Sequence, residues 1–422
     1  MTEKSILIIG AGISGLCAGC YAQMNGYRTR ILELHSLPGG LCTSWKRGGF
    51  TIDGSVHFLI GSSPNRPFNR YWKEVGLLKD REIIHHDALM RAEGLDGRVF
   101  TLYTDIDRLH QHLLELSPAD RPAIEEFIAG VRFFSTYSPP TDAIPELMGP
   151  VEGIRMLFSM LPSFKTLQKW SKISMGEYAN RFQDPLIRKV LQISVPPEFP
   201  VFLLMATIGW QAQKNAGYPI GGSLPLARAI ERRYRSLGGE IHYNTRVVKI
   251  LTEGDRAVGV CLEDGSEQRA GVVISAADGY TTLYKMLGER FLDPKTRSIY
   301  KDFTVFPSML YINLGVKRIF DEPSTVSGLV FPLERPIQLG DRAWDYLPVR
   351  IINFDPSFAP PGKTVLTVSL WSDYAYWKAL SANPDDYEAK KQEILQAVIR
   401  LLDQRWPGLA SQVEMSDVAT PL

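Results

Sequence analysis

Gly10-Ala11-Gly12-Ile13-Ser14-Gly15 follows directly on the short apolar run Ser5–Ile9 and opens a helical stretch. Glycines at that spacing can do phosphate chemistry without any reactive side chain. Gly10 permits a tight turn and Gly12 lets the backbone approach a pyrophosphate. Gly15 allows helix and strand to pack closely, and the helix N-terminus presents N–H donors and the positive end of its dipole. Ile13 and Ser14 are the first residues of that helix. Glu33-Leu34 ends the next apolar strand, at the distance where a carboxylate meets a ribose hydroxyl. A carboxylate there repels a 2′-phosphate, so FAD or NAD is favoured over NADP. Pro38-Gly39-Gly40 lies just beyond, where a second glycine-rich backbone can pass against an extended dinucleotide, which argues for FAD. Read alone, that pair is also an ordinary loop.

The elements that must position these residues can be read from periodicity. Ser5–Ile9 is a parallel strand buried on both faces, the helix runs to about Asn25 with Gly26 behind it, and Arg28–Leu34 is the second strand. Ile52–Ser63 is extended and punctuated by glycine. From Asp105, a capping residue, the spacing of Ile106, Leu109, Leu113 and Leu114 predicts a helix, and Ser117-Pro118 starts another. Helical periodicity continues to about Ala212. Nucleotide-binding features then resume with a helix over Leu224–Leu237 and strands at Ile241–Tyr243, Val247–Leu251, Ala257–Leu262 and Gly271–Ser275. Val305–Val316 and Lys363–Trp371 alternate like strands of a further sheet, and Asp385–Leu402 is a helix. The expected architecture is α/β: a Rossmann-like FAD-binding domain in two parts (1–104 and 213–300), an inserted mostly helical lobe (105–212), and a substrate domain with a mixed β-sheet (301–422).

Charged residues make up 22% and hydrophobic residues 45% of the 422, and the formal net charge is +1. That balance suits a globular protein and argues against nucleic acid as a partner. Cys17 and Cys20 lie three apart within the first helix, and no second cysteine pair or histidine cluster completes a zinc site, so core packing is their expected use. Free thiols fit a reducing, cytoplasmic compartment. Polar Thr2-Glu3-Lys4 leads straight into the first strand, unlike a signal peptide. Val190–Trp210 is the nearest approach to a membrane span, and Pro196, Pro197, Glu198 and Pro200 break it. Resting on a membrane surface stays open. Met148–Trp170 interleaves Met156, Leu157, Phe158, Met160, Leu161 and Phe164 with Lys165 and Lys169; core packing is the expected use, a lipid interface or the wall of an apolar tunnel the alternative.

With these residues in hand, the chain resembles the flavoprotein family of phytoene desaturases, carotenoid isomerases and retinol saturases, distant relatives of the amine oxidases. The likeness runs through Gly10–Gly15, Glu33 and Gly39-Gly40. It continues in Gly40-Leu41-Cys42-Thr43-Ser44-Trp45, Phe50-Thr51-Ile52-Asp53-Gly54, Tyr218-Pro219-Ile220-Gly221-Gly222-Ser223 and Val272–Asp278. It covers nearly the whole chain. The resemblance implies that Val247, with Val248 beside it, offers backbone to the adenine, and that Ala276 passes close to the dinucleotide. It also implies that Phe50–Gly54 runs toward the flavin ring, which would put His57 near the reactive end as a candidate for a chemical role. Family members carry a late glycine-rich segment that closes over the flavin, and the chain ends at Ala419-Thr420-Pro421-Leu422 without one. Weak FAD retention and an unpaired last strand near Val413–Val418 are the expectations that follow.

The expected activity is therefore an FAD-dependent desaturase, saturase or isomerase acting on a long apolar isoprenoid, carotenoid or retinoid-like molecule. No second GxGxxG follows a strand. Electrons are thus expected to leave for an external acceptor such as quinone or oxygen. An amine or amino-acid oxidase on the same fold is the first alternative, and a non-enzymatic flavin-fold binding protein the second.

Overall fold

The computed structural model describes residues 4–137, 147–303 and 306–422. Thr2, Glu3 and Val305, which entered the reading of the N-terminal lead-in and of one strand, lie outside the described residues. Four parallel strands form the first sheet, in the order Glu240–His242, Arg28–Leu32, Ser5–Ile9, Val272–Ser275. Ile8 and Ile31 are fully buried there, as the β-branched runs predict. The helix Ile13–Met24 packs beside Ser223–Ser236, with Gly19 set so close to Tyr234 that a Cβ would meet its ring at 2.7 Å. The chain leaves Ser5–Ile9 toward Arg28–Leu32 on one side while Val272–Ser275 pairs on the other. That reversal opens a crevice at the carboxyl ends of the strands, where ligands of such sheets bind.

Seven strands form the second sheet: Val413–Ala419, Met309–Val316, Thr364–Trp371, Arg342–Ile352, Gly328–Leu339, Ala88–Glu93 and Val99–Tyr103, in that spatial order. One face is apolar. Leu310, Ile312, Leu314, Val349, Leu366 and Val368 pack under the helix Pro384–Arg405 through Ile394, Val398 and Leu402. The alternate residues, among them Tyr311, Asn313, Thr367 and Arg350, belong to the opposite face, which meets the segment 50–58.

The inserted lobe is helical as expected. Asp105 caps Ile106–Leu116 by accepting the Arg108 N–H at 2.8 Å, and the short turn Pro118–Asp120 leads into Arg121–Thr136. Phe127, Val131, Trp170, Tyr178 and Met205 form its core.

Three expectations are corrected and one hairpin is added. The hairpin Ala88–Tyr103, placed with the first sheet by the 1–104 boundary, instead joins the second: Met90 pairs in parallel with Gly328, and Leu89, Met90 and Ala92 bury themselves in the core of the helical lobe. The hairpin Gly328–Ile352, whose two strands pair from Leu329↔Val349 to Leu339↔Arg342, was not anticipated. The last strand is paired, from Tyr311↔Ala419 to Val316↔Val413, its backbone completing the ladder along the edge of Met309–Val316. On it Asp417 meets Arg47 at 3.4 Å and Glu414 meets Lys363, charges that blunt an open edge. Finally, Met148–Trp170 is not core. The helix Pro150–Lys172 docks through Trp170, while Leu157, Phe158, Leu161 and Phe164 are each more than half exposed.

Candidate functional site

The turn after the first strand has the geometry its glycines predict. Gly10 sits at φ +98°, donates its N–H to the Leu32 carbonyl at 2.8 Å, and faces Ala276, whose carbonyl a Cβ would meet at 3.3 Å. At Gly15 a Cβ would fall 2.0 Å from the Gly10 carbonyl oxygen, so no larger residue fits. The helix begins at Ile13 with Gly12 as its N-cap, and no side chain caps it. The N–H groups of its first turn, Ile13 and Ser14 included, are thus left to meet a phosphate.

The second glycine pair comes to the same place. Gly39 donates to the Ala11 carbonyl at 2.8 Å, Gly12 and Gly39 form an isolated parallel bridge, and the Gly12 Cα lies where a Cβ on Gly40 would touch it at 3.4 Å. Gly39 adopts φ +114°, and a Cβ there would strike the Cys42 carbonyl at 2.3 Å. Leu41 beside it is exposed, and so is Leu34 at the other rim. Glu33 is buried, and its carboxylate grips backbone: Oε2 accepts the Ala11 N–H at 2.5 Å and Oε1 the His35 N–H at 2.8 Å. Each oxygen keeps a second lone pair, so the carboxylate can brace the turn and still accept from a ribose hydroxyl. Thr245 donates to the Glu33 carbonyl at 2.8 Å, which brings the strand Val247–Glu253 to the same rim. Val247 is buried there and Val248 exposed. The sequence-predicted residues Gly10, Gly12, Gly15, Glu33, Gly39, Gly40 and Ala276 therefore line one crevice, with Val247 at its end. An uncapped helix start, a cradle that side chains would fill and a buried acid fit FAD.

Beyond the crevice a second constellation forms around Asp53. Its carboxylate accepts from Ser55 N–H at 3.0 Å, Ser223 N–H at 2.5 Å and Ser223 Oγ at 2.7 Å. Asp355 does the same for the preceding turn, accepting from Gly221 N–H at 2.7 Å and Tyr218 Oη at 3.0 Å. These acids tie Phe50–Gly54 and Tyr218–Ser223 to each other and to the second sheet, and Tyr311 Oη donates to the Gly54 carbonyl at 3.2 Å. Behind them lies Arg350, a buried guanidinium 5.5 Å from the Tyr218 ring centroid and 5.6 Å from that of Phe354.

His57, the candidate for a chemical role, is in this neighbourhood with its basicity lowered. Burial first, and then the charge of Arg350, push its pKa down to about 3, while a backbone hydrogen bond at Val326 acts in the opposite sense. The ring is neutral at neutral pH and a weak base. His86 is held down to about 4 by burial, Arg350 and His85, in that order. Sequence reasoning missed Asp355, His86 and Arg350. The one signal in the sequence was an arginine within the apolar alternation Leu347-Pro348-Val349-Arg350-Ile351-Ile352.

The model of the family described as flavin containing amine oxidoreductase matches residues 13–413. A chloroplastic prolycopene isomerase of Daucus carota is 25% identical over 99% of this chain and 69% of its own length. A neurosporene-forming phytoene desaturase of Cereibacter sphaeroides is 26% identical over 98% of this chain and 81% of its own. The all-trans-retinol 13,14-reductase of Rattus norvegicus is 24% identical over 99% and 74%. Among solved structures, an oxidoreductase from Methanosarcina mazei shares the fold, with a TM-score of 0.59 and 20% identity over 99% of this chain and 88% of that one.

Proposed function

This chain belongs to the flavin containing amine oxidoreductase family, and from that premise we propose that it is a desaturase, saturase or isomerase of a long apolar, isoprenoid-like molecule. FAD, when bound, supplies hydride acceptance or donation at its ring. The chain's own residues do the rest. The turn Gly10–Gly15 and the pair Gly39-Gly40 hold the pyrophosphate, Glu33 the ribose, and Val247 with Val248 and Ala276 flank the adenine half. Asp53 and Asp355 fix the loops that border the ring, and the neutral ring of His57 helps keep the site dry.

The observation that carries the choice of substrate is the helix Pro150–Lys172. Val151, Ile154, Leu157, Phe158, Leu161 and Phe164 are all exposed on it, with Arg155, Lys165, Lys169 and Lys172 among them. An apolar row edged by cations suits a lipid surface, and an enzyme resting there takes its substrate from the bilayer. No helix of the described residues is long and apolar enough to cross one. On this reading residues 105–212 face membrane and substrate, and electrons pass to a quinone or to oxygen. The names of the relatives (prolycopene, phytoene, retinol) are of the same chemical kind. The test is anaerobic bleaching of the bound flavin against carotenoid, retinoid, fatty and amine compounds. Bleaching by polyenes supports the proposal, and bleaching by amines alone would turn it to the oxidase alternative.

A further inference from the structure

Arg350 is a buried cation whose guanidinium lies over the Tyr218 and Phe354 rings with two of its nitrogens left unpaired. It is 5% exposed, its Nε and Nη2 are shielded from solvent, and neither has a hydrogen-bond partner. No carboxylate among the described residues forms an ion pair with it. The two nearby acids are occupied elsewhere: Asp53 by Ser55 and Ser223, Asp355 by Tyr218, Gly221 and Ser357. The rings around it, His57, His86, Tyr218 and Phe354, carry no negative charge at neutral pH. Asp53 and Asp355 favour its charge from a distance, but two buried nitrogens left without acceptors still cost stability. A fold keeps such a group where something binds to it.

A second donor lies in the same row. Asn313, Thr367 and Arg350 are cross-strand neighbours in register, on the face that looks toward segment 50–58. The Asn313 side chain is buried, its Oδ1 accepts from Thr367 Oγ1 at 2.9 Å, and its Nδ2 has no partner. Along the Arg350 strand the same face carries Ile352, which packs with Phe50 and Ile52, and in the other direction Pro348 and Tyr346. Tyr346 lines an apolar cleft of about 490 Å³ with Val330, Pro332, Leu186, Val190 and Ile193. The free donors thus stand between the segment that borders the flavin and an apolar cleft four residues along the strand.

We propose that Arg350, assisted by Asn313, is the docking point for the carboxylate of an amphiphilic ligand whose apolar body lies along this face of the sheet. Two oxygens with four acceptor sites answer two unpaired guanidinium nitrogens and one amide nitrogen. The proposal rests on the apolar-substrate reading above and narrows it to acids, or to chains that carry one acidic end.

The test is titration of the FAD-loaded protein with decanoate and with decanol, followed by the flavin difference spectrum, for the wild type and the Arg350→Gln, Arg350→Lys and Asn313→Ala variants. Decanoate should bind roughly tenfold or more tightly than decanol, as expected for charge-assisted hydrogen bonds. That preference should vanish in Arg350→Gln, weaken in Asn313→Ala and survive in part in Arg350→Lys, with decanol affinity unchanged throughout. Equal binding of acid and alcohol by the wild type overturns the proposal, whether or not Arg350→Gln folds. So does an Arg350→Gln protein that keeps the preference while its flavin midpoint potential shifts, because the guanidinium then serves the cofactor. Bleaching by neutral polyenes without any acid preference would sink this inference and leave the broader reading standing.

Discussion

Single residues at the crevice do their work through backbone, and this shapes what their loss should do. Gly12→Val should cut FAD affinity by at least about tenfold, since its side chain would enter the space between the turn and Gly39-Gly40. Glu33→Ala removes the acceptor of the Ala11 and His35 N–H groups as well as the proposed ribose contact. A loss of roughly 1.5–3 kcal/mol in FAD binding is expected, read as flavin content and by titration of the apoprotein; full occupancy in both variants would reject the site. His86 gives a second handle. Its folded pKa of about 4 lies below the unfolded value near 6.5, so the unfolded chain binds more protons between them. Stability should therefore be complete above that window and fall as pH drops through it, by at most about 1.4 kcal/mol per pH unit for this one group. His57 adds a change of the same sign. Urea midpoints between pH 7 and 5 should fall less in His86→Gln than in the wild type. The glycines and Glu33 were legible because backbone geometry admits few substitutes there. His86, Asp355 and Arg350 were not, because each takes part of its meaning from a neighbour more than a hundred residues away, Ser324 for the first and Tyr218 for the other two.

At the level of elements, the strands and helices that were legible are those with one unambiguous period. Ser5–Ile9, Ile106–Leu116 and Pro384–Arg405 each show it, and each forms close to where it was expected. The hairpin Gly328–Ile352 was hidden because Pro332, Pro336 and Pro348 lie inside its strands, which as a rule argues against sheet. A register shift between Pro332 and Ile337 absorbs two of these. Pro150–Lys172 misled in the opposite sense: its composition suits a core, and only the position of the lobe shows that the apolar face is left outside. That exposure yields a test. The wild type should float with liposomes, more so with anionic ones because of Arg155, Lys165, Lys169 and Lys172. The Phe158→Glu/Leu161→Glu double variant should stay at the bottom of the gradient with its flavin spectrum unchanged. Equal flotation of the two proteins would remove this helix as the anchor.

At the scale of the whole molecule, the first sheet carries the proposed cofactor cradle and the second the face proposed to border the ring, and two buried acids join them. Asp53, reached from the first sheet's side, fastens the start of Ser223–Ser236, and Asp355, from the second, fastens the turn just before it. Ligand binding to either half should then be felt by both. FAD at a hundredfold excess over its Kd stabilises the native state by about 2.7 kcal/mol. If the joint is intact, the two sheets share that gain and the calorimetric transition moves as one. Asp53→Ala leaves the Ser55 N–H, the Ser223 N–H and the Ser223 hydroxyl without their acceptor, at a cost of roughly 1–3 kcal/mol for each group that stays buried. The weakened joint should separate melting into two steps, with only the step of the first sheet responding to FAD. Hydrogen exchange along Arg342–Ile352 gives the same answer locally: FAD should slow it in the wild type and leave it unchanged in Asp53→Ala. If FAD protects that strand equally in both proteins, the coupling runs through the flavin ring itself and not through the Asp53 joint.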